Sequence, residues 1–141
     1  TFPNWFLEFL GTYTSFINGC DYCYEHHFHG MKRFLNDDKK AMELKRHIEA
    51  DNLGVYLTEK EFAFVDYAKR LTLNANKIQK TDIVKLQSLG YSDGEILEVN
   101  QVVAYFNYAN RTVLGLGVNT NNEVLGLSPK NKDNENSWDH Q

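Results

Sequence analysis

Asn18-Gly19-Cys20-Asp21-Tyr22-Cys23-Tyr24-Glu25-His26-His27 holds both cysteines of the chain within four residues and sets two histidines directly behind them. Asn18-Gly19 is a helix stop. A helix restarting at about Cys20 puts Cys20, Cys23 and His27 at i, i+3 and i+7, on one face near a helix N-terminus. Free N–H groups and the positive end of the macrodipole favour a thiolate there, and an imidazole one turn away can take its proton. Cys23 and His27, four apart, are the pair in easiest reach of each other.

Upstream, Phe2-Pro3-Asn4-Trp5-Phe6-Leu7-Glu8-Phe9-Leu10 begins with Pro near a helix start and stays apolar through Phe16-Ile17, predicting a helix over about 3–17. The dithiol helix runs to about Phe34, with Phe28, Met31, Phe34 and Leu35 continuing its apolar face. His26 and His29, on other faces than His27, read as surface or packing histidines. A third helix is expected over 41–50, with Met42, Leu44 and Ile48 partly inward and His47 facing solvent. Thr58-Glu59-Lys60-Glu61 is a capping-box pattern ahead of a helix over about 59–73. A short helix led by Lys80 or Thr81 ends at Gly90, and Ser92-Asp93-Gly94-Glu95 caps a long helix over about 93–114. Ile96, Leu97, Val99, Val102, Val103, Phe106, Ala109 and Val113 leave that helix little polar surface, so it is expected to be buried centrally or in a subunit interface. The run Tyr105-Phe106-Asn107-Tyr108 reads as core and interface packing.

The chain has 141 residues, enough for one domain with its own core. Fifteen basic against nineteen acidic residues give a net charge of −4 with no basic patch, which argues against nucleic acid as a partner. No window nears the ~18 apolar residues of a membrane span, and no cleavable leader is visible, so a cytoplasmic protein without a membrane partner is expected. A bridge between cysteines three positions apart closes too short a loop to stabilise much, so redox chemistry or metal binding explains the pair better. Composition divides the chain into a helical domain over 1–117 and a polar tail over 118–141, in which Val124, Leu125 and Leu127 are candidates for pinning to a neighbour.

The pattern Glu-x11-Cys-x2-Cys-x3-His, met by Glu8, Cys20, Cys23 and His27, resembles the signature of the AhpD-like alkylhydroperoxidases within the carboxymuconolactone decarboxylase family. Decarboxylase members proper lack the Cys-x2-Cys. A second stretch, Gly90 to Val99 running on to Val103-Ala104-Tyr105-Phe106-Asn107, resembles the late helix of the peroxidase-related members. The resemblance implies an all-α bundle of about six helices with the dithiol at a helix N-terminus, and a homotrimer or homohexamer. It also implies that a helical segment precedes Thr1 in the complete protein. Tyr22 stands where the best-known members carry a second histidine, which shortens any proton relay carried over from them.

Read alone, Glu8 is an exposed position on an amphipathic helix; read with the resemblance, it is a buried carboxylate feeding His27. Antiparallel pairing about Gly19 sets Glu8 opposite residue 30, about one turn (~5 Å) beyond His27, a gap that a crossing angle or one bridging water would close. The activity implied is thiol-dependent reduction of a hydroperoxide, with Cys23 attacking, Cys20 resolving, His27 and Glu8 drawing off the proton, no cofactor, and an external dithiol or protein reductant resetting the pair. Physics alone also allows Cys20, nearer the helix end, to be the first thiolate, which would make the protein a disulfide reductase. Cys20, Cys23, His27 and His29 further offer the ligand types of a structural zinc, although His29 lies two positions from His27 and faces away. A helical scaffold with a vestigial dithiol is the last alternative.

Overall fold

The structure, a computed structural model, describes residues 1–118. The expected polar tail, with Val124, Leu125 and Leu127, lies outside the described residues apart from Val118. Six helices follow one another: α1 (Asn4–Ile17), α2 (Asp21–Leu35), α3 (Asp38–Glu49), α4 (Glu59–Asn74), α5 (Lys80–Ser88) and α6 (Asp93–Leu116). Single 3-10 turns stand at Leu53–Val55 and Ala75–Lys77, and no strand occurs among the described residues. The all-α expectation is met.

α1 is the hub. It packs most extensively on α2, then on α6 and α4, and Phe6, Phe9, Leu10 and Tyr13 enter the core together with Phe28, Met31, Leu44, Ile48, Phe64, Val99 and Val103. Each large apolar side chain so buried contributes about 1.5–3 kcal/mol. Three polar residues of α1 are buried too: the hydroxyls of Thr12, Thr14 and Ser15 donate to the carbonyls of Glu8, Leu10 and Gly11, each at 2.8 Å, so none is left unsatisfied. Gly11 lets α6 come close, because a Cβ on it would stand 2.2 Å from the Phe106 ring.

Both capping boxes form. Thr58 Oγ1 accepts from the Glu61 N–H while the Glu61 carboxylate accepts from the Thr58 N–H, and Ser92 and Glu95 repeat the exchange at α6. Gly90, at φ +93°, closes α5 with the Tyr91 N–H bonded back to Leu86 O, the bonding pattern of a Schellman stop.

Three expectations are corrected. α3 begins at Asp38 rather than 41, because Asp37 caps it by accepting the Lys40 N–H at 3.0 Å. His47 is buried, not solvent-facing: Asn52 Oδ1 holds its Nδ1 at 2.6 Å and Tyr56 stacks on its ring, while Met42, which was expected inward, is exposed. The inward arc of α3 runs through Ala41, Leu44, His47 and Ile48, so Met42 falls outside it. α6, expected to be buried centrally or in a subunit interface, buries one face within the chain, through Ile96, Val99, Val103, Phe106 and Asn110 at helical spacing, and leaves Leu97, Tyr105 and Tyr108 open on the other.

Candidate active site

The α1–α2 corner is built from two overlapping helix signals. Gly19, at φ +69°, supplies the left-handed residue; its N–H bonds to Phe16 O at 3.1 Å, and the N–H of Cys20 reaches back to Ser15 O at 3.0 Å. That pair of bonds is a Schellman C-cap for α1. Cys20 is at the same time the N-cap of α2, where its Sγ accepts the free N–H of Cys23 at 3.4 Å. One residue therefore ends one helix and starts the next, and its sulfur occupies the place that a Ser or Asp oxygen fills at most helix starts.

Cys20 and Cys23 are joined as a disulfide with their Cα atoms 5.3 Å apart, and both are almost wholly buried. One turn further along α2, His27 Nδ1 lies 2.8 Å from Glu8 Oε2. An ionised carboxylate can only accept, so Nδ1 carries the proton in this contact, and in the neutral ring Nε2 holds the lone pair. No bridging water is needed. Glu8 also lies over residue 30: a Cβ on Gly30 would come within 3.3 Å of Oε2, so the glycine leaves room for the carboxylate between the two helices. A second neighbour of the imidazole is Phe106, perpendicular to it with ring centroids 4.5 Å apart. Phe106 is itself seated against Gly11, so the ring plane of His27 is set by α1 and α6 together.

The geometry thus gathers Glu8 with His27 and Cys20 with Cys23, and puts His27 four residues from Cys23 on one helix. His26 instead faces the Tyr22 ring at 4.5 Å and His29 the Phe28 ring at 5.5 Å. No three His, Cys, Asp or Glu converge as metal ligands among the described residues. Beside Cys23, burial first and then the hydrogen bond to Glu49 raise the Tyr24 phenol well above its ordinary range.

Sequence reasoning passed over Gly11 and Gly30 as contacts of the site, and it passed over Ser15, Asn107 and Asn110. A signal existed for each. Glycine inside a helical pattern marks a close approach, and asparagines spaced three apart on the inward face of an apolar helix mark a buried polar network. A separate cleft of about 320 Å³, lined by Tyr13, Asp51, Phe62, Asp66 and Lys69 among others, includes none of the dithiol set. Burial and the carboxylates of Asp51 and Asp66 push Tyr13 up to about 12.

No protein-family model matches the sequence, and no curated protein matches it. Solved structures do. An uncharacterized peroxidase-related protein from Silicibacter sp. TM1040 superposes with a TM-score of 0.69 at 22% identity, over 82% of this chain and 58% of that one. The alkylhydroperoxidase AhpD core of an uncharacterized peroxidase-related protein from Ralstonia eutropha JMP134 gives 0.74 at 20% identity, over 87% of this chain and 62% of that one. The chain spans about three fifths of the length of each. Its fold is the AhpD-like fold of the peroxidase-related proteins.

Proposed function

We infer that the protein is a thiol-dependent peroxidase working through the Cys20–Cys23 pair. The observation that carries this reading is the 2.8 Å contact of His27 Nδ1 with Glu8, one helical turn from Cys23. The carboxylate fixes the tautomer in which Nε2 is the base, and it stabilises the imidazolium that forms when the Cys23 proton is taken. The Cys23 thiolate attacks one oxygen of a hydroperoxide. The O–O bond breaks, the second oxygen leaves as an alcohol after protonation, and Cys23 becomes a sulfenic acid. The Cys20 thiol then displaces water from that sulfenic acid, closing the disulfide, and an external dithiol supplies the two electrons that reopen it. The peroxidase-related names of the structural neighbours support the reaction class. A homotrimer or homohexamer belongs to the same reading, and the open Leu97, Tyr105 and Tyr108 face of α6 supports it.

One observation favours a second reading. The N-cap position of Cys20 aims a helix N–H at its sulfur, which favours a Cys20 thiolate and therefore a disulfide reductase led by Cys20. Peroxide consumption by single-cysteine variants separates the two. Cys23→Ser is expected to abolish it, whereas Cys20→Ser should give one oxidation, followed by over-oxidation in excess peroxide. His27→Ala should move the pH midpoint upward, toward the ~8.5 of an unassisted thiol, and Glu8→Gln should do so by less. Loss of the first oxidation in Cys20→Ser rather than Cys23→Ser would reverse the assignment.

A further inference from the structure

We propose that Asn110 and Asn18 are positioning residues for the dithiol: through Ser15 and the α1–α2 turn they hold Cys20 where it can close on Cys23. The proposal rests on the redox reading of the pair, and it concerns the equilibrium between dithiol and disulfide, whatever the oxidant.

The contacts form one directed chain. Asn18 Nδ2 donates to both Asn107 Oδ1 and Asn110 Oδ1, each at 2.9 Å. Asn110 Nδ2 donates to Ser15 Oγ at 3.0 Å, and Ser15 Oγ donates in turn to Gly11 O at 2.8 Å. The directions admit no exchange. The Ser15 hydrogen is already committed to Gly11, so Ser15 can only accept from Asn110; turning the Asn110 amide over would face two donors at Asn18 and two acceptors at Ser15. Asn107 is anchored separately, donating to Thr72 Oγ1 and Val103 O and accepting from Arg111.

Asn110 is completely buried on a helix face otherwise made of Ile96, Val99, Val103 and Phe106. An amide there costs desolvation that only a full set of partners offsets, and an aliphatic side chain would pack as well without that cost. Its partners locate its use. Ser15 is the residue whose carbonyl receives the Cys20 N–H, and Asn18 is the C-cap residue two before Cys20. Cys20 is thus tied to α6, 90 residues away in sequence, through backbone on one side and side chain on the other, while Cys23 is carried by α2. Closure of the disulfide needs both held at once.

The test is the redox equilibrium of the folded chain in glutathione buffers of graded ratio, read by thiol trapping. Asn18 is half-buried at the turn, so Asn18→Ala leaves the core intact; Asn110→Ala is the stronger perturbation, and its fold is checked by circular dichroism. Either variant is expected to lower the effective concentration of the two thiols by about tenfold, a potential about 30 mV higher than that of the parent chain. Asn100→Ala is the control. Asn100 also lies on α6, but it donates to Tyr67 Oη of α4, outside the chain of contacts, so it should lower stability and leave the potential unchanged. Potentials within twofold of the parent equilibrium constant for both test variants, an equal shift for the control, or a parent chain that never closes its disulfide would each overturn the proposal. A parent chain that shows the expected shifts but consumes no peroxide would uphold it and remove the peroxidase reading instead.

Discussion

The α1–α2 and α2–α3 corners solve one local problem with different chemistry. Each ends a helix on a left-handed residue, Gly19 at φ +69° and Asn36 at φ +50°, and starts the next helix on the residue that follows. At the second corner the cap is Asp37, an exposed carboxylate accepting an N–H at 3.0 Å. At the first the cap is Cys20, a buried sulfur accepting at 3.4 Å, and sulfur is the poorer acceptor. The second corner is held locally, by its caps and by the Lys32–Asp38 ion pair at 3.4 Å, whereas the first is fastened to α6 through Asn18 and Ser15. A helix start that gives up a good cap and takes on a buried polar network is, on the proposed redox reading, arranged for chemistry rather than for stability.

Three measurements would break or sharpen that contrast. The largest effect is expected from Gly11→Ala, whose new methyl meets the Phe106 ring at 2.2 Å; with Phe106 held between α1 and His27, the ring cannot simply swing away. Overpacking of this kind costs about 1–3 kcal/mol, and the His27 resonances should shift with it; an unchanged denaturant midpoint together with unchanged His27 shifts would mean that α6 is not holding the ring. Next come the caps themselves. Asp37→Ala should cost about 1 kcal/mol and leave the dithiol equilibrium alone, while Cys20→Ser, compared with the reduced parent chain, should gain a few tenths to about 1 kcal/mol by putting an oxygen at the N-cap. A loss of stability in Cys20→Ser would mean that the sulfur is there for packing, and the contrast would fail.

The smallest effect concerns pH. Tyr24, next to Cys23, ties the start of α2 to the end of α3 through Glu49, and its phenol is raised in the folded chain by burial and by that hydrogen bond. A group raised on folding contributes stability that is fully present below its unfolded value of ~10 and is lost as pH climbs through its folded one. The melting temperature should therefore fall above pH ~10, and Tyr24→Phe should flatten that fall while the dithiol equilibrium stays as it was. An identical alkaline limb in the variant would assign the fall to other groups.

Much of the fold was legible because its signals are local. Thr58 with Glu61, Ser92 with Glu95, and Gly90 announce helix ends within four residues of themselves, and the structure forms all three. The α3 start was missed because Asn36-Asp37-Asp38 reads equally as a linker; only the left-handed turn at Asn36 makes Asp37 a cap. His47 and Met42 were misjudged because a short amphipathic helix leaves its inward arc uncertain by one residue on either side, and the stacking of Tyr56 from the following turn decides which.

By itself the sequence determined the helices, the corner at Asn18-Gly19, and the clustering of two thiols with an imidazole on one helix face, since all of these follow from spacing within a single turn or two. Tertiary structure alone decided the rest. The approach of Glu8 to His27 depends on the angle at which α1 crosses α2 over Gly30, and the setting of the His27 ring depends on Phe106 filling the space that Gly11 leaves. The fastening of Cys20 joins residues 15 and 18 to residue 110, and no local pattern can specify a hydrogen bond whose donor and acceptor meet only after four helices have been inserted between them.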